Sequence, residues 1–169
     1  GYLGDTKLIA RFLVVNDGQG EGRRFFLGSG IIVPSKNTLT SDPFFLNGEE
    51  KSDHRHFSVS EGSYKSVFEL QYFKKRNLNP VFVGGALTTE LPFGENKYGY
   101  RASKYYNLSL SALTKKLPKL KVALSSSALL RYSSLAYWNN KPSPISDSKT
   151  LTAGIGVILP SHFGGITIS

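Results

Sequence analysis

The chain contains no cysteine and no methionine. Without cysteine there is no disulfide framework, no thiol nucleophile and no thiolate metal site. A natural full-length chain starts with methionine, so a processed, trimmed or partial polypeptide is expected. No run of about 18 or more apolar residues marks a membrane-crossing helix, and no signal peptide opens the chain. No stretch of about a dozen residues carries the period of an amphipathic helix. Charged residues are sparse, at 20%. These gaps leave strands as the building material. They do not exclude a membrane barrel, whose strands need only about ten residues each.

What the chain does have is aromatic residues and positive charge. Phe and Tyr dominate an aromatic content of 12%, which suits strands and membrane interfaces alike. The length of 169 residues is enough for one domain, so residues 1–169 are expected to form a single β region. The net charge is +9. Its cations cluster at Arg23-Arg24, Lys74-Lys75-Arg76, Lys115-Lys116 and Lys119, at the expected strand ends and turns. No recognition helix, zinc finger or single-strand-binding signature accompanies them, so nucleic acid is not an expected partner. Anionic lipid, a basic pore lining that favours anions, or solubility alone remains.

Period-two alternation is clearest at the end of the chain. Leu151, Ala153, Ile155, Val157 and Leu159 fall on one face of an extended strand, with Thr152, Gly154 and Gly156 on the other. Pro160-Ser161-His162 is the expected break, and Phe163–Ser169 begins a second strand. Upstream, strands are expected at Lys7–Val15, Arg24–Val33, Tyr64–Phe73, Pro80–Phe93, Tyr105–Ala112 and Lys119–Leu130, with a short one at His56–Ser60. The segments Asn16–Gly22, Lys74–Asn77 and Thr114–Pro118 read as turns. Pro34–Arg55 and the aperiodic Arg131–Asp147 read as long loops, the first of a length that marks a functional or disordered connection. The count is eight or nine antiparallel strands. One face of each is apolar, and the other is small and polar. An oily outer face with small polar residues inside is the pattern of a membrane barrel; a soluble barrel or sandwich produces the same alternation. The two differ in which face is wet. A soluble barrel buries Leu108, Leu110, Ile155 and Val157, whereas a membrane barrel exposes them.

The candidate chemistry is thin. Asp53, His54 and His56 share a charged loop and His162 stands apart, which falls short of a convergent metal site. Gly28-Ser29-Gly30 has the look of a serine-nucleophile segment, but no matching His and Asp follow. Gly18, Gly20 and Gly22 are spaced as a turn, not as a phosphate cradle before a helix. Glu69 and Glu90 lie on the polar faces of separate strands. They are candidates for an acid–base pair, or for ion pairs with interior Lys or Arg. No enzyme, metal or cofactor is expected.

Four segments carry a family resemblance. Arg24-Phe25-Phe26-Leu27-Gly28 resembles the arginine–aromatic–aromatic–Leu–Gly segment that leads into a long sixth loop. Gly84-Gly85, then Thr89-Glu90-Leu91-Pro92-Phe93, resembles a Gly-Gly strand ending in a Leu-Pro-Phe turn. Leu120–Ser127 sits where a further strand belongs. Gly154-Ile155-Gly156-Val157, followed by Gly165-Ile166-Thr167-Ile168, resembles a late hairpin. In this order and spacing they resemble the outer-membrane-protein assembly family. That family comprises the bacterial barrel-assembly subunit, the chloroplast import channel and the barrel subunit of the mitochondrial sorting and assembly machinery, the last being the most similar. After Gly28 this chain reads Ser29-Gly30-Ile31-Ile32-Val33, where the family has an Arg-Gly-Phe triplet.

The resemblance implies about the C-terminal half of a 16-stranded transmembrane barrel. It implies insertion of client β-barrel proteins into the mitochondrial outer membrane (a bacterial or plastid outer membrane being the alternative) through a lateral gate at the barrel seam. The implied partners are the lipid bilayer, other subunits of a membrane assembly complex and unfolded clients. The missing triplet brings in a pore or structural barrel subunit as the alternative. A soluble β-barrel that binds a ligand is the reading from another class.

Overall fold

The computed structural model describes residues 4–18, 20–44, 58–161 and 164–168. They form an antiparallel all-β structure with no helix among the described residues. Seven long strands succeed one another: β1 (Thr6–Asn16), β2 (Gly22–Val33), β3 (Lys65–Lys75), β4 (Phe82–Pro92), β6 (Tyr105–Leu113), β7 (Ala123–Ser133) and β10 (Ser148–Ser161). The shorter β11 (Gly164–Ile168) completes one sheet, in the order β1-β2-β3-β4-β6-β7-β10-β11. Every neighbour is antiparallel. The sheet is a meander with β1 and β11 as its two edges. Three two-residue strands form a separate small sheet: β5 (Tyr100–Arg101), β8 (Tyr137–Trp138) and β9 (Lys141–Pro142).

The ends of the sheet differ. At one end the connections are tight, at 17–21, 76–81 and 114–122. At the other they are long, at 34–64, 93–104 and 134–147, and they carry the small sheet. Short turns at one end and long loops at the other are the habit of outer-membrane barrels.

The sequence signals act locally as expected, with three differences. The strand expected from Lys119 begins at Ala123, because Lys121 turns the chain at φ 56° and its N–H donates to the carbonyl of Leu117. Pro160 does not break β10; it pairs with Gly165 across the β10–β11 hairpin. The 131–147 stretch is not all loop. Arg131–Ser133 finish β7, and Asn139 and Asn140, both at positive φ, close a two-residue hairpin between β8 and β9. Asparagine tolerates that conformation, which type I′ hairpin turns require at both positions. Of the expected short strand, His56 and Phe57 lie outside the described residues, and Ser60 bridges to Thr38.

The buried apolar set is small: Ile32, Val67, Ala102, Ala123, Ala136 and Trp138. Strand-to-strand approach depends on glycine instead. A Cβ at Gly30 would stand 2.0 Å from the Leu8 carbonyl oxygen, and one at Gly84 would stand 2.2 Å from the Phe73 ring. Gly94 has open space where its side chain would be. The variant Gly30→Ala should therefore lower the denaturant midpoint, by a loss of roughly 1–3 kcal/mol. Gly94→Ala should leave it within about 0.5 kcal/mol. Equal midpoints for the two variants would contradict the close approach of β1 and β2.

Candidate functional site

The register sorts the side chains of the sheet into two chemically distinct faces. Phe12, Leu27, Leu70, Leu87, Leu108, Leu130 and Leu151 are direct partners on seven successive strands. They make one unbroken apolar row, and all seven are exposed, from 37% at Leu108 to 71% at Leu151. Two residues along each strand on one side come Phe68, Thr89, Tyr106 and Tyr132; on the other side come Phe25, Tyr72, Gly85 and Leu110. On this face of β1 to β10 the charged residues are Arg23, Lys74 and Lys149, each at a strand end. Of the four positions that discriminate the two sequence readings, Leu108, Leu110 and Ile155 are exposed and Val157 is half-buried.

The opposite face holds every mid-strand charge. Arg11, Gly28, Glu69, Thr88, Asn107, Arg131 and Thr150 are successive partners across the same seven strands. Glu69 is buried and held on two sides. The Arg11 guanidinium donates to both carboxylate oxygens, Nη2 to Oε2 at 3.1 Å and Nε to Oε1, and Gln71 Nε2 donates to Oε1 at 2.6 Å. Gly28 lies between the pair on the intervening strand, and its missing side chain leaves their room. A Cβ there would stand 3.0 Å from Glu69 Cβ and 3.4 Å from Arg11 Cγ. Lys7 Nζ donates to Glu90 Oε1 at 2.7 Å. The two carboxylates thus serve ion pairs on this face, with cations that stay partly exposed. Toward the short-turn end, Phe73 meets Phe26 edge-on and stacks on Phe82. Gly84 gives that ring its seat.

At the long-loop end a polar pocket of about 320 Å³ opens between this face and the small sheet. Lys65 is buried there, paired with Glu61 and 4.8 Å from the centre of the Tyr105 ring. The Tyr105 hydroxyl donates to Glu61 Oε1 at 2.9 Å. Trp138 lines the same pocket at 2% exposure and meets the Tyr100 ring at 4.9 Å. Serines fasten the loops behind it. Ser146 Oγ accepts the Ala136 N–H at 2.9 Å and donates to the Ser143 carbonyl at 2.8 Å, and the Ser133 and Ser148 hydroxyls meet at 2.9 Å.

The segments singled out by sequence are spread across the sheet. Arg24, Phe26 and Gly28 lie on the polar face of β2, which runs on into the long 34–64 connection. Gly84 and Gly85 face opposite sides of β4, Gly85 under Leu110. Gly154 and Gly156 lie on the polar face of β10, Gly154 against Ser127 Oγ. Gly165, Ile166 and Ile168 in β11 pair with Pro160, Leu159 and Val157. Asp53, His54, His56 and His162 lie outside the described residues. Sequence reasoning missed Arg11, whose even spacing from Lys7 and Ile9, four and two residues, was the available signal. It also missed Trp138, where the Asn139-Asn140 pair was the signal. No protein-family model, no characterised protein and no solved structure matches the chain.

The buried end of the Arg11–Glu69 pair gives a direct test. Removing the cation with Arg11→Met leaves the Glu69 carboxylate with only Gln71 and should lower the denaturant midpoint. The double variant Arg11→Met/Glu69→Leu should recover most of that loss, because both charges are gone. Additive losses in the cycle would contradict the pairing.

Proposed function

We propose that this chain forms part of the wall of an outer-membrane-type β-barrel, its apolar face toward lipid and its polar face toward an aqueous lumen. The observation that carries the reading is the segregation of charge across the sheet: mid-strand charges on one face, an uninterrupted apolar row on the other. Magnitude favours it. Seven strands at about 4.8 Å spacing and two rows at about 6.7 Å steps, with Phe68, Tyr106 and Tyr132 beside them, give an apolar patch on the order of 500 Å². Left in water, a patch of that size forgoes about 13 kcal/mol of burial, comparable with the whole stability of a typical domain. It lies toward the upper end of the roughly 300–600 Å² that the largest patch of a soluble monomer covers. The long strands of the main sheet also have the length that a tilted crossing strand needs, about 9–11 residues.

Two activities suit such a wall. Assembly of client barrels is what the family resemblance implies: β1 and β11 are the edges of the described sheet, a sheet edge can pair with an incoming strand, and the mitochondrial outer membrane is then its site. Conduction draws support from the polar face, where Lys7, Arg11, Arg24, Lys65, Lys75 and Arg131 outnumber Glu69 and Glu90. A lumen with that balance favours anions. In both cases the chain works with lipid and without a cofactor.

Refolding into lecithin vesicles tests the shared premise. Polarised infrared spectra should report strands tilted about 35–45° from the membrane normal. A protein that stays in solution without detergent, with no ordered strand tilt, would contradict the barrel. In planar bilayers the conducting reading predicts chloride over potassium, with the preference reversed by Lys7→Glu and Arg131→Glu; an unselective current would remove it.

A further inference from the structure

The basic clusters all converge on one end of the sheet. Arg23 and Arg24 open β2 just after the first turn; Lys74 and Lys75 end β3 and Arg76 begins the second turn; the third turn carries Lys115, Lys116, Lys119 and Lys121. Against these nine cations in residues 16–24, 74–82 and 113–123 stand two carboxylates, Asp17 and Glu21, a balance of nine minus two, or +7. Those windows include strand ends; over the connecting residues alone, 17–21, 76–81 and 114–122, five cations stand against two carboxylates, five minus two, or +3, whereas the described connecting residues of the opposite end, 4–5, 34–44, 58–64, 93–104 and 134–147, hold five of each, a balance of zero.

Several details say that this rim expects an anionic partner. Arg23 and Lys74 are direct cross-strand partners, an arrangement of like charges that ordinarily costs stability. Arg23 is satisfied locally: its Nε and its backbone N–H both donate to Asp17 Oδ2 at 2.9 Å. These hydrogen bonds hold the Asp17 carboxyl below the usual carboxylate range. No carboxylate among the described residues pairs with Lys74, Lys75, Lys115, Lys116, Lys119 or Lys121. Two leucines stand out among these cations. Leu78, at 77% exposure, follows Arg76 by two residues, and Leu120, at 67%, lies between Lys119 and Lys121. Exposed aliphatic side chains beside cations are the chemistry of segments that sit at a lipid interface. Arg23 and Lys74 also end the apolar face itself, where their stems continue the oily surface and their charges reach the boundary.

We propose that this rim docks on the anionic headgroups of one leaflet, its cations on lipid phosphates and Leu78 and Leu120 in the headgroup–acyl boundary. The inference rests on the lipid-facing reading of the apolar face. It adds an orientation: the short-turn end lies on the more anionic leaflet. An acidic polypeptide is the competing occupant of the same charge.

The test uses single-cysteine variants of this cysteine-free chain, Leu78→Cys, Leu120→Cys and Leu110→Cys, each labelled with an environment-sensitive fluorophore. The proteins are reconstituted in phosphatidylcholine vesicles containing 20 mole per cent phosphatidylglycerol, about the anionic content of natural leaflets. Brominated chains are placed either on the phosphatidylglycerol or on an equal amount of phosphatidylcholine. Expected is quenching at positions 78 and 120 about threefold stronger from the brominated anionic lipid. The excess should vanish in 0.5 M salt and in the quadruple variant K74Q/K75Q/K115Q/K116Q, while position 110 is quenched equally by both lipids throughout. Equal quenching at 78 and 120 with position 110 still quenched would overturn the leaflet inference, would favour the acidic polypeptide and would leave the barrel standing. No quenching at 110 would overturn both.

Discussion

Everything in this sheet depends on where a charge is tolerated. Backbone pairing runs across eight strands, with a register shift between Leu13 and Val15 of β1, so elsewhere each side chain is committed to one face by its parity. On one face the commitment is to ion pairs and small polar groups, with Glu69 gripped by Arg11 and Gln71 over the bare backbone of Gly28. On the other it is to leucine and aromatic residues in register from β1 to β10. A one-residue slip of β3 would bring Leu70 to the polar face and place Glu69 in the apolar row. Register and chemistry thus enforce each other.

The usual stabiliser of a domain, a buried apolar core, is reduced among the described residues to a few, most of them near the long-loop end and Ala123 at the other. Its place is taken by the hydrogen-bonded ladders, the ion pairs of the polar face and glycines that let strands and rings approach. Gly30 admits the β1 backbone, Gly84 seats Phe73 and Gly85 admits Leu110. The small sheet adds a second centre, built on Trp138 and a serine network, beside the pocket that holds Lys65, Glu61 and Tyr105.

Much of the main sheet was legible in the sequence because alternation is a local signal with a long reach. Val83, Gly85 and Leu87 against Gly84 and Thr88, or Leu151, Ala153 and Ile155 against Thr152 and Gly154, announce both a strand and its faces. The tight turns were legible from Gly, Pro and charge. The cap was not, since two-residue strands have no period; only Asn139-Asn140 marked its hairpin. The start of β7 was misplaced because Leu120 and Val122 continue an alternation that Lys121 breaks at positive φ. Among candidate site residues, Glu69 and Glu90 were legible as interior carboxylates. Their partners Arg11 and Lys7 required the register, since the Arg11–Glu69 contact crosses from β1 over β2 to β3.

The central claim is that the apolar face meets lipid, and spin-label accessibility measures it directly. Labels at Leu108, Leu110, Ile155 and Val157, each introduced as a single cysteine, should in liposomes relax strongly with oxygen and weakly with a water-soluble nickel complex. Labels at Ser109 and Gly156 on the other face should show the reverse order. If all four apolar sites are shielded from both reagents and the protein remains soluble without detergent, the face is a protein core and the barrel account is wrong.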